Sequence, residues 1–101
     1  MNVEKTELFC GKDFEILEMV LTRDEYLLNL SWKVYFENKF FLISFYNVSR
    51  FRIGEISIPL AIQGFEIINH SQDGWEKDST YEIRDFEDDY VHFFCESIKI
   101  T

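Results

Sequence analysis

The chain has 101 residues, 47% of them hydrophobic and 18% aromatic, and it carries a formal net charge of −9 at pH 7. The length predicts one domain over residues 1–101, and the apolar content excludes an intrinsically disordered chain. The excess of acids argues against nucleic acid and anionic membranes as partners, because both are bound through basic surfaces. It suits solubility, a basic partner or cations.

Cys10 and Cys95 are the two cysteines of the chain. They lie far apart in sequence, and neither belongs to a C-x-x-C pair. The charged first residues give no secretion signal, and no apolar run approaches the roughly 18 residues of a membrane span. These features predict a cytoplasmic protein with reduced thiols. With two histidines and no ligand spacing, neither a zinc site nor any other cofactor is predicted.

The first strongly apolar segment begins at Asp13, and two interpretations of it are open. One is a helix with Asp13 as its N-cap. The other is a strand with Phe14, Ile16 and Val20 on one face. We favour the strand because the segment is short and residues 22–25 then form a hairpin loop into the next strand.

Residues 26–48 predict a long β-hairpin. Even positions up to residue 36 are apolar or aromatic, and odd positions are mostly polar, which is the period of a half-buried strand. A two-residue turn at Asn38 and Lys39 is the expected connection. Since apolar side chains then meet on both faces, the hairpin is predicted to be central and covered on both sides. The expected facing pairs are Phe36–Phe41, Val34–Ile43, Trp32–Phe45, Tyr35–Leu42 and Ser31–Tyr46.

Several shorter elements are predicted between residues 49 and 80. A change of alternation around a glycine indicates a bulge or tight turn, and proline ends strand pairing. In chain order they are a strand at 49–53, a bulge at Gly54 and Glu55, an end of pairing at Pro59, a helical turn or a crossing up to residue 64, a strand at 65–69 and a polar loop at 70–80.

The last quarter predicts a second hairpin, closed by the loop Glu87-Asp88-Asp89. In this register Ile83 faces Phe93, Tyr81 faces Cys95 and Arg84 faces His92. Ile98 and Ile100 have the opposite parity, so a bend is expected near residues 96–97. With six to eight short strands and no convincing helix, the fold class predicted is an all-β antiparallel sandwich or partly open barrel.

The acidic stretch at residues 73–89 is the strongest candidate for a functional surface. It surrounds Trp75, and an exposed aromatic residue among charges is a frequent anchor for a protein partner. The alternative is that Trp75 folds back on the core while the acids are merely solvated. A calcium site of Glu87, Asp88 and Asp89 with Asp73 and Asp78 is a further alternative, although no EF-hand spacing occurs. The partner-binding residues predicted are Asp73, Trp75, Glu76, Asp78, Asp85, Glu87, Asp88 and Asp89.

Signals for catalysis are absent from the sequence. His92 and Cys95 differ by three positions, so on a strand they point to opposite faces and cannot act as a local base and nucleophile. There is no G-x-S-x-G motif and no glycine-rich phosphate loop. We therefore expect a protein that is not an enzyme and has no catalytic residues.

Two strand segments carry a resemblance to a known group of proteins. The segment FLISFYNVS at residues 41–49 and the segment YVHFFCESIKI at residues 90–100 resemble small acidic bacterial immunity proteins, which are encoded beside polymorphic toxins. The group often has an aromatic strand ending in Asn-Val and a final strand running into an aromatic-Cys-Glu segment. This resemblance implies an inhibitor that binds one toxin tightly, often a basic nuclease, through an acidic face.

The function expected from the sequence is therefore a protein-binding module that neutralises a basic toxin by binding and occlusion. Two alternatives remain open. One is a small-molecule- or calcium-binding β-barrel with a concave aromatic pocket. The other is a structural subunit of an oligomer, in which an unpaired edge strand pairs with another chain. The sequence leaves the oligomeric state open.

Overall fold

The computed structural model describes residues 9–53, 57–85 and 90–101, and these residues form an all-β fold. They contain nine strands and one turn of 3-10 helix, Lys77–Ser79. The strands are β1 (Phe14–Asp24), β2 (Leu27–Phe36), β3 (Lys39–Tyr46), β4 (Ser49–Ile53), β5 (Leu60–Ile62), β6 (Phe65–Asn69), β7 (Tyr81–Asp85), β8 (Val91–Cys95) and β9 (Ser97–Ile100).

The strands form two antiparallel sheets. The five-stranded sheet has the order β5-β1-β2-β3-β9, and the four-stranded sheet has the order β4-β8-β7-β6. The predicted all-β antiparallel class is confirmed, with nine described strands instead of six to eight. Across the described residues, no helix is long and apolar enough to cross a membrane.

The core lies between the two sheets and is built around Trp32, which is fully buried. Its indole contacts Phe45 in its own sheet, with ring centroids 4.8 Å apart. It also contacts Phe65 and Phe93 of the four-stranded sheet, at 6.1 and 5.8 Å. Edge-on contacts of this kind contribute about 0.5–1.5 kcal/mol each beyond the burial of apolar area. The two sheets are therefore joined by an aromatic cluster.

Strand β1 confirms the strand interpretation of the segment after Asp13, but its two halves present different faces. The register with β2 shifts between Ile16 and Glu18, so one extra residue, Leu17, interrupts the alternation. After this bulge Met19 packs against the core and Val20 is 43% exposed. The prediction that Val20 shares the buried face of Ile16 is therefore wrong, because a one-residue bulge inverts the parity of the strand beyond it.

The β2–β3 hairpin is present, but its turn and pairings differ from the prediction. The turn is Glu37-Asn38, with φ of 50° and 64°, and not Asn38-Lys39. Two-residue hairpin turns with both φ values positive fit the right-handed twist of the flanking strands. The register is displaced by two residues, so the buried side chains still share one face. The actual pairs are Phe36–Lys39, Tyr35–Phe40, Val34–Phe41, Lys33–Leu42, Trp32–Ile43, Ser31–Ser44 and Leu30–Phe45.

The hairpin is central in its sheet, as predicted, but the described residues cover only one of its faces. On the other face Phe40 is 63% and Leu42 45% exposed. The prediction that both faces are covered is therefore wrong for the described part of the chain. An antiparallel sheet tolerates this because one face packs on the core and the other meets solvent.

The chain crosses between the sheets before and after β5. Strand β5 begins directly after Pro59 and pairs with β1, whereas β4 and β6 belong to the other sheet. The segment from Pro59 to Gly64 therefore crosses between the sheets and contains the short strand β5. It does not form a helical turn. The expected bulge at Gly54 and Glu55 lies outside the described residues.

The last three strands follow the predicted pattern. Ile83 pairs with Phe93, Tyr81 with Cys95 and Arg84 with His92, as expected. Strand β9 pairs with β3 in the five-stranded sheet, so the chain changes sheets at Glu96. The predicted bend near residues 96–97 is confirmed, and it accounts for the opposite parity of the two terminal isoleucines.

Candidate functional site

The outer face of the four-stranded sheet carries a cluster of titratable side chains. Ile83 and Phe93 point into the core, so their neighbours Glu82 and His92 point outward. Glu82 faces Phe94 across the ladder, which makes His92 its diagonal neighbour. His70 follows the end of β6, where its backbone N–H donates to the Thr80 carbonyl over 2.7 Å. We call Asp73, His70, Glu82 and His92 the histidine cluster.

Glu82 is the shared acceptor of the histidine cluster. Its Oε1 lies 2.9 Å from Nε2 of His70, and its Oε2 lies 2.6 Å from Nε2 of His92. The other ring nitrogen of His70, Nδ1, lies 2.7 Å from a carboxylate oxygen of Asp73. The side chains of His70 and Glu82 are each only 14% exposed. These bonds therefore lie in a partly desolvated position, where charge-assisted hydrogen bonds are strong.

The geometry assigns a protonation state to each imidazole. Both nitrogens of His70 face carboxylate oxygens, which only accept, so both nitrogens carry a proton and the ring is an imidazolium. His92 donates from Nε2 to Glu82, and its Nδ1 lies 3.4 Å from the Arg52 guanidinium, which only donates. Nδ1 of His92 is therefore an acceptor, and this ring is neutral.

The pKa shifts of His70 and Glu82 agree with the assignment of His70 as an imidazolium. The hydrogen bond to Glu82 raises the pKa of His70 above 6.5, against the opposing effect of burial and with further help from Asp73. Burial acts to raise the pKa of Glu82, but the hydrogen bonds from His70 and His92 outweigh it and hold the pKa below 4.5. The charged forms of His70 and Glu82 thus stabilise each other.

Trp75 stacks on the imidazolium of His70. The ring centroids are 4.0 Å apart and the planes are inclined by 21°. A cation on the face of an indole is attracted by the ring quadrupole, in addition to the packing. Phe94 flanks the stack at 6.0 Å from Trp75, and the Arg50 guanidinium lies 4.9 Å above the Phe94 ring. Trp75 is still 48% exposed, so it is held in place and yet open to solvent on one side.

The loop that carries Trp75 is held by its own backbone. Gly74 has φ of 72°, a conformation that favours glycine. The 3-10 turn that follows is closed by the Ser79 N–H, which donates to the Glu76 carbonyl over 2.9 Å. The Ser49 hydroxyl donates to the Asp78 carbonyl over 2.9 Å and joins the loop to β4. The position of Trp75 is therefore fixed by its surroundings before any partner binds.

The predicted partner-binding residues occupy different positions in the fold. Asp73, Trp75 and Glu76 are exposed and adjacent, and Asp78 is partly exposed beside them. An open depression of about 360 Å³ is lined by Asn47, Glu76, Lys77 and Asp78. Glu87, Asp88 and Asp89 lie outside the described residues.

Asp85 belongs to the interior and not to this surface. It is fully buried, and its Oδ1 accepts a hydrogen bond from the backbone N–H of Val91 over 2.8 Å. Its parity is that of Tyr81 and Ile83, whose side chains point inward. The prediction that Asp85 contacts a partner is therefore corrected: this carboxylate organises the end of the β7–β8 hairpin.

His70, Glu82 and His92 were missed in the sequence. The pairing of Arg84 with His92 was predicted, and this register already places Glu82 diagonally to His92. His70 had no such signal, because its contact with Glu82 depends on how the loop folds back over the sheet. The position of Arg50 was not predicted either. Its φ is 50°, and the register of β4 with β8 shifts between Ser49 and Arg52, so the alternation of this segment does not indicate the direction of the side chain.

In residues 9–53, 57–85 and 90–101, no group of three or more His, Cys, Asp or Glu side chains is arranged to hold a metal ion. Burial raises the pKa of Cys95 to about 12, so this thiol stays protonated at neutral pH.

No protein-family model, curated protein or solved structure matches this chain.

Proposed function

We propose that this protein is a binding module that neutralises a basic protein toxin by occlusion. The binding face is the outer face of the four-stranded sheet, centred on Trp75. One observation carries the proposal: the indole is 48% exposed, although it is stacked on a histidine that two carboxylates hold in place. A large aromatic side chain kept open to solvent in a fixed position is typical of a binding anchor.

Preorganisation is what makes this geometry suitable for tight binding. Ordering a flexible side chain at an interface costs about 0.5–1.5 kcal/mol, and Trp75 is already ordered by the stack. Its surroundings include Arg50 and Arg52, and arginine and tryptophan are the residue types that dominate interface energetics. The face therefore has the composition of an interface centre.

The acids around Trp75 supply the charge complementarity. Asp73, Glu76 and Asp78 lie within three residues of Trp75 on the same loop, and the whole chain carries a net charge of −9. Complementary charge accelerates encounter with a basic protein, and salt screens this effect. Glu87, Asp88 and Asp89 join this surface in the proposal because of their place in the sequence.

The test is binding to the product of the neighbouring gene, which the proposal expects to be a basic toxin. We expect Trp75→Ala to weaken the complex by about 2–4 kcal/mol, a loss of roughly 30-fold or more in affinity. Tyr26→Ala is the matched control, because Tyr26 is an aromatic residue that is 93% exposed at the β1–β2 turn. That variant is expected to bind like the unchanged protein.

Association kinetics test the role of the acids. The rate constant of association is expected to fall steeply with ionic strength, and Glu76→Lys is expected to reduce it with little effect on dissociation. An association rate that is indifferent to salt would exclude charge steering. Equal affinities of Trp75→Ala and Tyr26→Ala would remove Trp75 from the interface and with it the proposed binding face.

A further inference from the structure

A small aromatic cluster lies around Phe94 on the outer face of the four-stranded sheet. Phe94 pairs with Glu82, so it projects from the same side as the histidine cluster and away from the core between the sheets. It is nevertheless only 7% exposed, because neighbouring side chains pack against it. Measured from the centroid of its ring, these are the Arg50 guanidinium at 4.9 Å and the rings of His92 at 5.6 Å, Trp75 at 6.0 Å and His70 at 6.2 Å.

Positive charges are concentrated on this face of an acidic chain. Arg52 and Arg84 each pair with His92, so both project to its side of the sheet. Arg50 lies above the central aromatic ring on that side too, and three of the four arginines of the chain therefore share one face. With the imidazolium of His70 they bring four positive charges. Among the described residues of the same face, three side chains are negative: Glu66, Asp73 and Glu82.

Arg50 is the arginine of this face that is open to a ligand. Arg84 is engaged with Glu66 at 3.7 Å, and Arg52 lies 3.4 Å from Nδ1 of His92. The Arg50 guanidinium rests on an aromatic ring and makes no hydrogen bond or ion pair within the part of the chain that the structure describes. A planar guanidinium held in this way presents a fork of N–H donors, which suits the two oxygens of a carboxylate.

The acids beside Arg50 determine which kind of anion can reach it. Asp73, Glu76 and Asp78 lie on the loop that carries Trp75, and the chain as a whole has a net charge of −9. A polyanion such as a nucleic acid would gain a contact with Arg50 but would be repelled by the acids around it. A basic protein with one carboxylate in its contact surface fits both features, because its cations face the loop acids while its carboxylate faces Arg50.

We propose that Arg50 binds an Asp or Glu side chain of the toxin, next to the indole of Trp75. This inference rests on the proposed function, which supplies the basic partner, and it adds a contact that determines specificity. The loop acids act on the encounter, whereas the carboxylate pairs with Arg50 only in the docked complex. A basic protein that lacks a carboxylate at this position leaves Arg50 desolvated and unpaired, and the face therefore discriminates against it.

Quenching of tryptophan fluorescence by ions tests the positive charge beside Trp75 without the toxin. Trp32 is fully buried and Trp75 is 48% exposed, so ionic quenchers report on Trp75. At low ionic strength, and relative to free N-acetyltryptophanamide, iodide is expected to quench more strongly than caesium. Arg50→Gln is expected to lower the ratio of the two quenching constants by at least about twofold. Lys99→Gln is the matched control, because it removes the same charge from the outer face of the five-stranded sheet, and it is expected to leave the ratio unchanged.

Binding to the product of the neighbouring gene tests the carboxylate. Arg50→Gln is expected to weaken the complex by at least about tenfold, chiefly through faster dissociation. Arg50→Lys is expected to keep the quenching ratio but to bind with intermediate affinity, because an ammonium group keeps the charge and loses the fork. Each acidic residue of the toxin interface is then changed to its amide. One of these toxin variants is expected to bind the unchanged protein less tightly and to be insensitive to Arg50→Gln, which a double-mutant cycle measures.

The outcomes separate this inference from the proposed function. If Trp75→Ala weakens the complex and Arg50→Gln does not, the binding face stands and the Arg50 contact is refuted. Additive effects in every double-mutant cycle refute it as well, as does normalised quenching by caesium that equals or exceeds that by iodide. A neighbouring gene product that does not bind overturns the proposed function and the toxin carboxylate together, whatever the quenching ratio. Circular dichroism and thermal unfolding establish that each variant is folded.

Discussion

Glu82→Gln is the substitution that probes the histidine cluster most directly. In the native cluster, Glu82 accepts from the charged His70 and from the neutral His92. A glutamine of the same shape still accepts from His92 through its oxygen. Its NH₂ group then faces Nε2 of His70, so His70 must lose that proton and become neutral while it still donates from Nδ1 to Asp73. The hydrogen bonds are kept, but the charge of the pair is removed.

The expected cost follows from the kind of hydrogen bond that is lost. Charge-assisted hydrogen bonds contribute about 1.5–3 kcal/mol and neutral ones about 1 kcal/mol. Glu82→Gln therefore lowers the free energy of unfolding by about 1 kcal/mol at pH 6, which is a decrease of about 4–8 °C in Tm for a domain of this size. Glu82→Ala removes both acceptors and is expected to cost about 3 kcal/mol.

The two pKa shifts determine how the loss of stability in Glu82→Gln depends on pH. The pKa of His70 is raised above 6.5 on folding, so its stabilising contribution is fully present below pH 6.5 and is lost as the pH rises through the folded value. The pKa of Glu82 is lowered below 4.5, so its contribution is present above pH 4.5 and is lost as the pH falls through the folded value. The pair contributes most between these limits, and the effect of Glu82→Gln shrinks toward pH 9.

Urea unfolding at pH 6 and at pH 9 measures both effects. Glu66→Gln is the matched control on the same sheet face, because Glu66 makes only an exposed ion pair with Arg84, at 3.7 Å. That variant is expected to lose less than about 0.5 kcal/mol. An equal loss of stability for Glu82→Gln at the two pH values would refute the imidazolium assignment of His70.

Three further predictions concern other parts of the fold. Cys10 is expected to react with iodoacetamide at pH 8 in the native state. Cys95 is fully buried and burial raises its pKa to about 12, so it is expected to react only on unfolding. Mass spectrometry measures both reactions, and equal rates for the two cysteines would contradict the burial of Cys95. Asp85→Ala leaves a buried backbone N–H without its acceptor and is expected to cost about 1–3 kcal/mol in urea unfolding, and Asp85→Asn less, since its oxygen still accepts. Glu37→Asn places a residue that tolerates positive φ beside Asn38 and is expected to raise the unfolding free energy by up to about 1 kcal/mol, whereas a decrease would argue against the Glu37-Asn38 turn.

The sequence predicts the sheets better than their registers. Alternation in β2 and β3 assigns Trp32 and Ile43 to the core, but a displacement by two residues preserves that pattern, so only the turn decides which residues pair. The bulge at Leu17 could not be predicted from the sequence either. Ile16 and Leu17 are both apolar, so either can continue the alternation of apolar and polar residues. The β7–β8 register was predicted correctly from the assumed loop Glu87-Asp88-Asp89, although here too a displacement by two residues would keep Ile83 and Phe93 inside.

The sequence likewise predicted only part of the candidate site. Trp75 stands out in the sequence as an aromatic residue among acids, and it is half exposed in the fold. Asp85 was counted with the acids around it, although its parity with Ile83 already indicated an inward side chain. The contact of His70 with Glu82 spans 12 positions and depends on the path of a loop, which local patterns do not determine.

The change of sheet at Glu96 has a consequence for the order in which the chain can fold. One residue separates β8 in one sheet from β9 in the other, and Thr101 exchanges two backbone hydrogen bonds with Leu42, at 2.9 and 3.0 Å. The last strand therefore joins a partner synthesised much earlier, and contacts of such long sequence separation slow folding. On the ribosome, the edge of the five-stranded sheet stays open until residues 97–101 have left the exit tunnel. Completion of the five-stranded sheet thus depends on one short strand that follows β3 far along the chain.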